Sequence, residues 1–380
     1  MEPIPLLHVA DVHLGGSQWA FGDQVAGHQQ RIEAAFARCI DAAIARRVQA
    51  VLIAGDLFVV PQPSERAVQV ALRQLRRLTT ARPSIPCFIL PANHDCLGPG
   101  CVYHRPEMGM EGVHIWRGPD STTFHIAGGA VALHGRPQLC DRTPHYALDG
   151  LQPDPAARFN VAVAHAAVRP TREATDACIT TPEQIAGSGM DYIAFGHWHN
   201  PSDQSRGKVV AAFSGSPEIL AVDQRERGQA IVVTLSDRGV ELEHFIVGQL
   251  LCATVELDAE SYPDEAAVAA EIASRAAPDL LLDVVISGLM PEGGEIDTLR
   301  LQDELESGFF RLRVRDESVP ATDRLQAEDA AGRLIAARAT ALLAERMSRC
   351  EQSGDQQGLR RARQALRLLL ALLHGKEVLQ

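Results

Sequence analysis

The chain has 380 residues, 46% of them hydrophobic, and a formal net charge of -12 at pH 7. That length allows one large domain and one or two smaller ones, each with its own buried core. The acidic balance argues against a protein that coats nucleic acid non-specifically, since such binding rests on many Lys and Arg contacts to phosphate, and no apolar stretch approaches the roughly 20 residues that cross a bilayer.

The opening MEPIPLLHVADVH has no basic flank, and His8 and Asp11 interrupt its apolar run, so it reads as a core strand at Leu6 to Ala10 rather than a signal peptide. From His28 to Val48, the residues Ile32, Phe36, Cys39, Ile40, Ala43 and Ile44 recur at helical spacing. Val51 to Ala54 is a second strand. Ser64 is placed to cap a helix with Val68, Leu72, Leu75 and Leu78 on its apolar face, and Cys87 to Leu90 is a third strand. This βαβαβ order predicts a layered α/β core. Shorter strands follow at Thr122 to Ile126, Val131 to Leu133, Phe159 to Ala164, Tyr192 to Phe195, Val209 to Phe213 and Ala230 to Leu235, separated by Pro- and Gly-rich loops.

After about residue 248 the pattern changes. Cys252 to Leu257, a helix near Asp264 to Ala276, Leu282 to Ser287, a short helix near Leu299 to Glu306 and Phe309 to Val314 make a small α/β module. From Thr322 the chain is rich in Ala, Leu, Arg and Glu, with Leu334, Ala337, Ala341 and Ala344 on one helical face; a second helix is expected at Leu359 to Leu373. The expected division is 1–248, 249–321 as a small α/β cap, and 322–380 as a helical hairpin that packs on its own domain or docks a partner. Eight cysteines lie scattered without a CxxC pair, which fits free thiols in a cytoplasmic protein better than a bridge between Cys96 and Cys101.

Five short motifs carry chemistry: Asp11-Val-His13, Gly55-Asp56, Asn93-His94-Asp95, His165, and Gly196-His197-Trp-His199. Each follows an apolar strand, where loops at one sheet edge converge. Singly they are weak signals. Together they supply carboxylates, imidazoles and one amide carbonyl without thiolate, a donor set for Mn, Fe or Zn rather than for a structural zinc site. Alternation along an extended segment places Asp11 with His13, and His197 with His199, on one side.

The order and content of these motifs resemble the calcineurin-like metallophosphoesterases over roughly the first 235 residues. The resemblance implies a two-sheet sandwich flanked by helices (α/β/β/α) and two divalent metal ions. One would be held by Asp11, His13, Asp56 and His199, and the other by Asp56, Asn93, His165 and His197, with Asp56 bridging. Two cations about 3.5 to 4 Å apart lower the pKa of a shared water and stabilise in-line displacement at phosphorus. His94 would stabilise or protonate the leaving oxygen, with Asp95 orienting its ring. Gly55 would let backbone approach the metals closely.

Within the family, LLHVADVHLGG at 6–16, VLIAGDLF at 51–58 and FSGSPEIL at 213–220 are similar to the DNA-repair nuclease branch typified by SbcD, and the short length is similar to its compact bacterial MPE members. That resemblance implies a manganese-dependent endonuclease acting on single-stranded or unpaired DNA. It also implies partners among DNA-repair proteins, a helicase, ligase, exonuclease or SMC-like ATPase, reached through the C-terminal helices. Two positions depart from the branch: Val59 stands where GDLFH is common, which puts exonuclease action in doubt, and Ala92 replaces the Gly of GNHD. Arg105, Arg136, Arg142 and Arg169 are candidate phosphate contacts. The rival readings are an exonuclease subunit working with a coiled-coil ATPase, a phosphodiesterase for cyclic nucleotides or other small esters, and a scaffold without catalysis, the last disfavoured because every ligand type is present.

Overall fold

The computed structural model describes residues 2–16, 24–118, 122–141, 145–170, 178–221, 224–290, 296–320 and 330–353, with scattered positions thereafter. The chain divides into two compact units, Met1–Cys252 and Ala253–Gln380.

In the first unit the elements run β1 (Ile4–Val9), α1 (Val25–Ala45), β2 (Ala50–Ile53), α2 (Glu65–Thr79), β3 (Cys87–Ile89), β4 (Val113–Ile115), β5 (Thr122–Ile126) and β6 (Val131–Gly135). They continue as β7 (His145–Tyr146), β8 (Phe159–His165), β9 (Ala167–Val168), β10 (Cys178–Thr180), α3 (Pro182–Gly187), β11 (Tyr192–Gly196), β12 (Ser202–Asp203), β13 (Val210–Phe213), β14 (Gln229–Ser236) and β15 (Gly239–Ile246). Two six-stranded sheets result, ordered β15-β14-β1-β2-β3-β4 and β12-β13-β11-β8-β6-β5. Strands β1 to β4 pair in parallel, as do β6, β8, β11 and β13.

Side-chain alternation explains the layers. On β1, Leu7 and Val9 pack with Ile32, Phe36 and Ile40 of α1 and with Val68, Leu72 and Leu75 of α2. Leu6 and Ala10 face the other way, into a core shared with Val161 and Val163 of β8 and Ala194 of β11. The outer side of the second sheet, Ala162, Ile193, Phe195 and Phe213, is covered by Leu148, Ile185 and Met190. Strands buried on both faces read as continuous apolar runs, which is why β1, β2, β8 and β11 are visible in the sequence. The architecture is α/β/β/α, as the family resemblance implied. Ser64 caps α2 by accepting from the Ala67 amide at 3.3 Å.

The second unit carries a three-stranded sheet of β16 (Leu251–Asp258), β17 (Ala277–Ser287) and β19 (Phe309–Asp316), a short pair of β18 (Leu289–Met290) with β20 (Val319–Pro320), and the helices α4 (Glu265–Ala273), α5 (Thr298–Leu305) and α6 (Ala330–Ser353). Val268 and Ile272 of α4 and Leu301 of α5 cover the sheet. On α6, Ala337, Ala341 and Ala344, expected on an apolar face, are exposed. Most of the expected helix at 359–373 lies outside the described residues, and so does 322–329. No helix among the described residues is long and apolar enough to cross a membrane. Cys96 and Cys101 are both free.

Candidate metal centre

Asp11 and His13 follow β1, Asp56 follows β2, Asn93 follows β3, His165 ends β8, and His197 and His199 follow β11. Parallel strands bring these ends to one edge of the sandwich. The loops are laced together by backbone: the Asp11 amide donates to the Gly55 carbonyl at 3.2 Å, the His13 amide to the Asp56 carbonyl at 3.0 Å, and the Leu14 amide to the Leu57 carbonyl at 2.9 Å. Asp11, His13 and Asp56 sit at φ of 53, 52 and 51°, and His197 at 110°. Left-handed backbone at non-glycine residues costs of order 1–3 kcal/mol each and persists where surrounding structure enforces it, which is characteristic of ligand-binding positions.

Two glycines make the close approach feasible. A Cβ on Gly55 would lie 2.2 Å from the His165 ring, and one on Gly196 would lie 2.0 Å from the Ala54 carbonyl oxygen. The sequence suggests a close backbone approach to the metals at Gly55; the neighbour that a Cβ there would meet is the His165 ring.

Asp56 lies at the middle. Its Oδ2 is 3.2 Å from His165 Nε2 and 3.7 Å from His13 Nε2, and its Oδ1 accepts from the His94 amide at 3.1 Å. Ligand-type atoms of Asp11, His13 and His199 lie within 4.8 Å of one another, as do those of Asp11, Asp56 and His165, and those of His13, Asp56 and His94. The rings of His165 and His197 are 5.3 Å apart and those of His13 and His199 are 5.2 Å apart. Asp11 receives the His197 amide on both oxygens, at 3.2 and 3.0 Å.

The charges interlock. Burial favours a neutral His165 ring, but the charge of Asp56, 3.2 Å away, outweighs it and lifts His165 to about 9. Burial works against an ionised Asp56, yet His165 and His13 hold its carboxyl below the usual range. Burial is the largest influence at His13 and His197, and with the charges of neighbouring histidines it pushes them down to about 3 and about 4; burial also raises Asp11.

These residues fit divalent cations. His13 Nε2, His165 Nε2 and Asn93 Oδ1 are buried without a hydrogen-bond partner, although unpaired buried polar atoms are costly and uncommon. These three, of eight such atoms among the described residues, belong to the expected ligand set. Each is a donor atom that a cation would satisfy, and the O/N chemistry suits Mn, Fe or Zn.

Asp95 departs from its expected role. It is fully buried, and its Oδ2 accepts from the Phe58 amide at 3.0 Å and the Tyr103 hydroxyl at 2.5 Å, while Oδ1 accepts from the Ala92 amide at 3.0 Å. Neither oxygen bonds the His94 ring. Asp95 instead fastens the loop after β2 to the loop after β3. The ring of His94 is positioned by backbone: its Nδ1 lies 3.2 Å from the Val59 carbonyl oxygen. Since a carbonyl only accepts, Nδ1 carries the proton and Nε2 is left for another partner. Thus residue 59 contributes through its carbonyl even though it is not histidine.

Sequence reasoning missed further supports. Gln138 donates to the His165 carbonyl at 2.9 Å, and Gln224 donates to the His199 carbonyl at 3.0 Å. Gln224 also donates to Ser216 Oγ at 2.9 Å, and Ser216 Oγ donates to the Glu218 carbonyl at 2.6 Å. The Glu218 carboxylate, 1% exposed, accepts from the amides of Ile219, Gln249 and Leu250. The SGSPE motif, noticed only as a mark of resemblance, is thus a brace behind His199. Of the candidate phosphate contacts, Arg105 is paired with Glu65 at 2.8 Å, Arg136 and Arg169 are half-buried, and Arg142 lies outside the described residues.

Residues 4–201 match the model of the calcineurin-like phosphoesterase family. The chain is 24% identical over 230 residues to the DNA double-strand break repair protein Mre11 of Sulfurisphaera tokodaii, covering 60% of this chain and 57% of that one. It is 26% identical over 265 residues to the uncharacterized metallophosphoesterase YhaO of Bacillus subtilis, covering 66% and 59%. Against the Mre11 of Methanopyrus kandleri it is 25% identical over 345 residues, covering 84% and 73%. The matches to the first two relatives span little more than half of their lengths. With its ligand-type side chains gathered at one sheet edge and a family match across more than half its length, the chain belongs to the calcineurin-like phosphoesterase family.

Proposed function

We propose that this protein is a two-metal phosphodiesterase that hydrolyses DNA, acting as a manganese-dependent endonuclease on single-stranded or unpaired strands in DNA repair. The observation that carries the reading is the set of three orphaned ligand atoms, on His13, Asn93 and His165, around the central carboxylate of Asp56. In this reading Asp11, His13, Asp56 and His199 hold one cation, and Asp56, Asn93, His165 and His197 hold the other. The cations, when bound, supply Lewis acidity toward a phosphate oxygen and lower the pKa of water.

The protein's own groups do the rest. His94, exposed and fixed through Nδ1 on the Val59 carbonyl, presents Nε2 to the leaving oxygen and, once protonated, donates to it. Asp95 keeps the two loops in register and acts as a positioning residue. Val59 removes a side chain associated with exonuclease action and leaves the ligands untouched, which favours internal cutting. Similarity to Mre11 proteins, named for double-strand break repair, supports DNA as the substrate class. The functional division proposed is a nuclease core at 1–248, a cap at 249–321 and C-terminal helices at 322–380 that receive a repair partner.

The test is incubation with manganese and circular single-stranded DNA, beside circular duplex and a small phosphodiester. Linearised circles are expected, with duplex cut more slowly. Intact circles at high enzyme concentration would sink the endonuclease reading, because an exonuclease also leaves circles untouched. Turnover of the small ester alone would point to small-molecule hydrolysis.

A further inference from the structure

Strands β6 and β8 run parallel with Gly135 beside Val163, so β6 ends at the sheet edge where the ligand-type residues gather. The loop that follows β6 contributes no residue to that set. It contributes Gln138, which is 2% exposed and bonds in three directions. Its backbone amide donates to the Pro91 carbonyl at 3.0 Å, its carbonyl accepts from the Leu97 amide at 2.8 Å, and its Nε2 donates to the His165 carbonyl at 2.9 Å. Pro91 and Leu97 stand on either side of Asn93 in the chain. One residue therefore clamps both flanks of the Asn93 loop and, through its side chain, ties that loop to the end of β8.

The two residues joined in this way share a role. The His165 ring is fixed by its Nδ1, 2.9 Å from the Ala54 carbonyl oxygen; a carbonyl only accepts, so Nδ1 carries the proton and Nε2 is the free donor atom. Both His165 Nε2 and Asn93 Oδ1 are buried and unpaired. In the proposed assignment both serve the cation of Asp56, Asn93, His165 and His197, and neither serves the other cation. The residues of that other cation are supported elsewhere: the Asp11 and His13 amides bond the Gly55 and Asp56 carbonyls, and the His199 carbonyl is held by Gln224. The outer supports are thus divided between the two halves of the centre.

We infer that Gln138 is a positioning residue for the second cation, holding Asn93 and His165 in register and so setting the affinity of that half of the centre alone. The inference rests on the proposed division of ligands between two cations. Its side chain is well suited to a test. Gln138 Oε1 is buried and unpaired, so among the described residues the bond to the His165 carbonyl is the only one the side chain makes. Replacing that side chain reads one contact.

The experiment measures stepwise manganese affinities by equilibrium dialysis, with electron paramagnetic resonance reporting spin coupling between neighbouring ions. The proteins are the wild type, Gln138→Met, Gln138→Asn, Asn93→Ala and His199→Ala, the last two also combined with Gln138→Met. Met matches Gln in length and cannot donate; Asn keeps the amide on a side chain one methylene too short to reach. Loss of an outer support lowers metal affinity by about 10- to 100-fold. Both Gln138 variants are expected to weaken one binding step by that factor, to leave the other unchanged, and to lose the coupled signal at manganese concentrations that fill only the tighter site. Combined with His199→Ala, Gln138→Met should leave neither ion tightly bound; combined with Asn93→Ala, it should leave the affinity of the remaining ion as it was. If the wild type holds two coupled ions and the Gln138 variants hold both with wild-type affinity, or weaken both steps alike, the positioning role is overturned while the two-metal reading stands. A wild type that binds a single ion overturns the division of ligands, and the inference with it.

Discussion

Replacing Tyr103 with Phe removes one hydroxyl and little else, and its consequences discriminate between two roles for Asp95. In the fold, Asp95 accepts three hydrogen bonds, from the Phe58 amide, the Ala92 amide and the Tyr103 hydroxyl. Burial, followed by the charge of Asp56, lifts its carboxyl to about 7, and the three donors oppose that rise. A hydrogen bond to a buried ionised group contributes about 1.5–3 kcal/mol, and 1 kcal/mol moves the melting temperature of a domain of this size by roughly 2–4 °C. Tyr103→Phe should therefore lower the midpoint of the chelated protein by roughly 3–12 °C at pH 8. The sign of the pH effect follows from linkage. Without the hydroxyl, the folded-state pKa of Asp95 rises further above its unfolded value, so the added penalty grows as pH rises through about 7 and shrinks at pH 5, where the carboxyl is protonated in both proteins. Calorimetry at the two pH values measures this. An unchanged midpoint at pH 8, accompanied by an altered pH–rate profile, would refute the fastening role and restore Asp95 as the group that orients His94.

Other expectations follow from the same contacts. His94→Ala should keep its full metal content and lose about 10²- to 10⁴-fold in kcat on DNA, with a far smaller loss on nitrophenyl esters, as steady-state kinetics and metal analysis would show. Glu218→Ala strands three amides, on Ile219, Gln249 and Leu250, and at about 1–3 kcal/mol each should cost at least about 3 kcal/mol in denaturant unfolding; a loss below about 1 kcal/mol would contradict the brace. His8 is buried between the sheets against the Tyr192 hydroxyl at 2.8 Å, and burial pushes it down to about 3. Because the unfolded chain takes up that proton first, this group removes stability as pH falls from about 6.5 toward 3, or about 2 kcal/mol by pH 5. The acid limb of the stability curve should be flatter by that amount in His8→Gln.

Much of this molecule is legible in its sequence because the strands that matter are buried on both faces. Val51–Ala54 is a continuous apolar run, Leu6–Ala10 and Phe159–Ala164 are apolar but for His8 and Asn160, and a ligand-type residue follows each within two positions. Strand β15 was not expected: its residues alternate between exposed and half-buried positions, with charges at Glu241 and Glu243, so it lacks the apolar run by which its neighbours are recognised. β4, with three residues, is too short to show a period.

At the site, the ligand types could be read from composition and order, whereas the supports could not. Tyr103, Gln138, Gln224 and Glu218 act through hydrogen bonds spanning 8 to 32 positions of sequence, and no local pattern announces such a partnership. The misassignment of Asp95 has the same origin. Adjacency to His94 implied that it serves that ring, but the turn sends the two side chains to different partners, Tyr103 and the Val59 carbonyl. The contribution of residue 59 was hidden for a related reason, since its carbonyl is independent of side-chain identity.

The central claim is that Asp56 is shared by two cations. Equilibrium dialysis against manganese, with metal counted per chain in the wild type and in Asp56→Ala, tests it most directly. Two ions per chain in the wild type and loss of both in the variant are predicted; one ion in the wild type, or a variant that keeps one tightly bound ion, would contradict a bridging carboxylate.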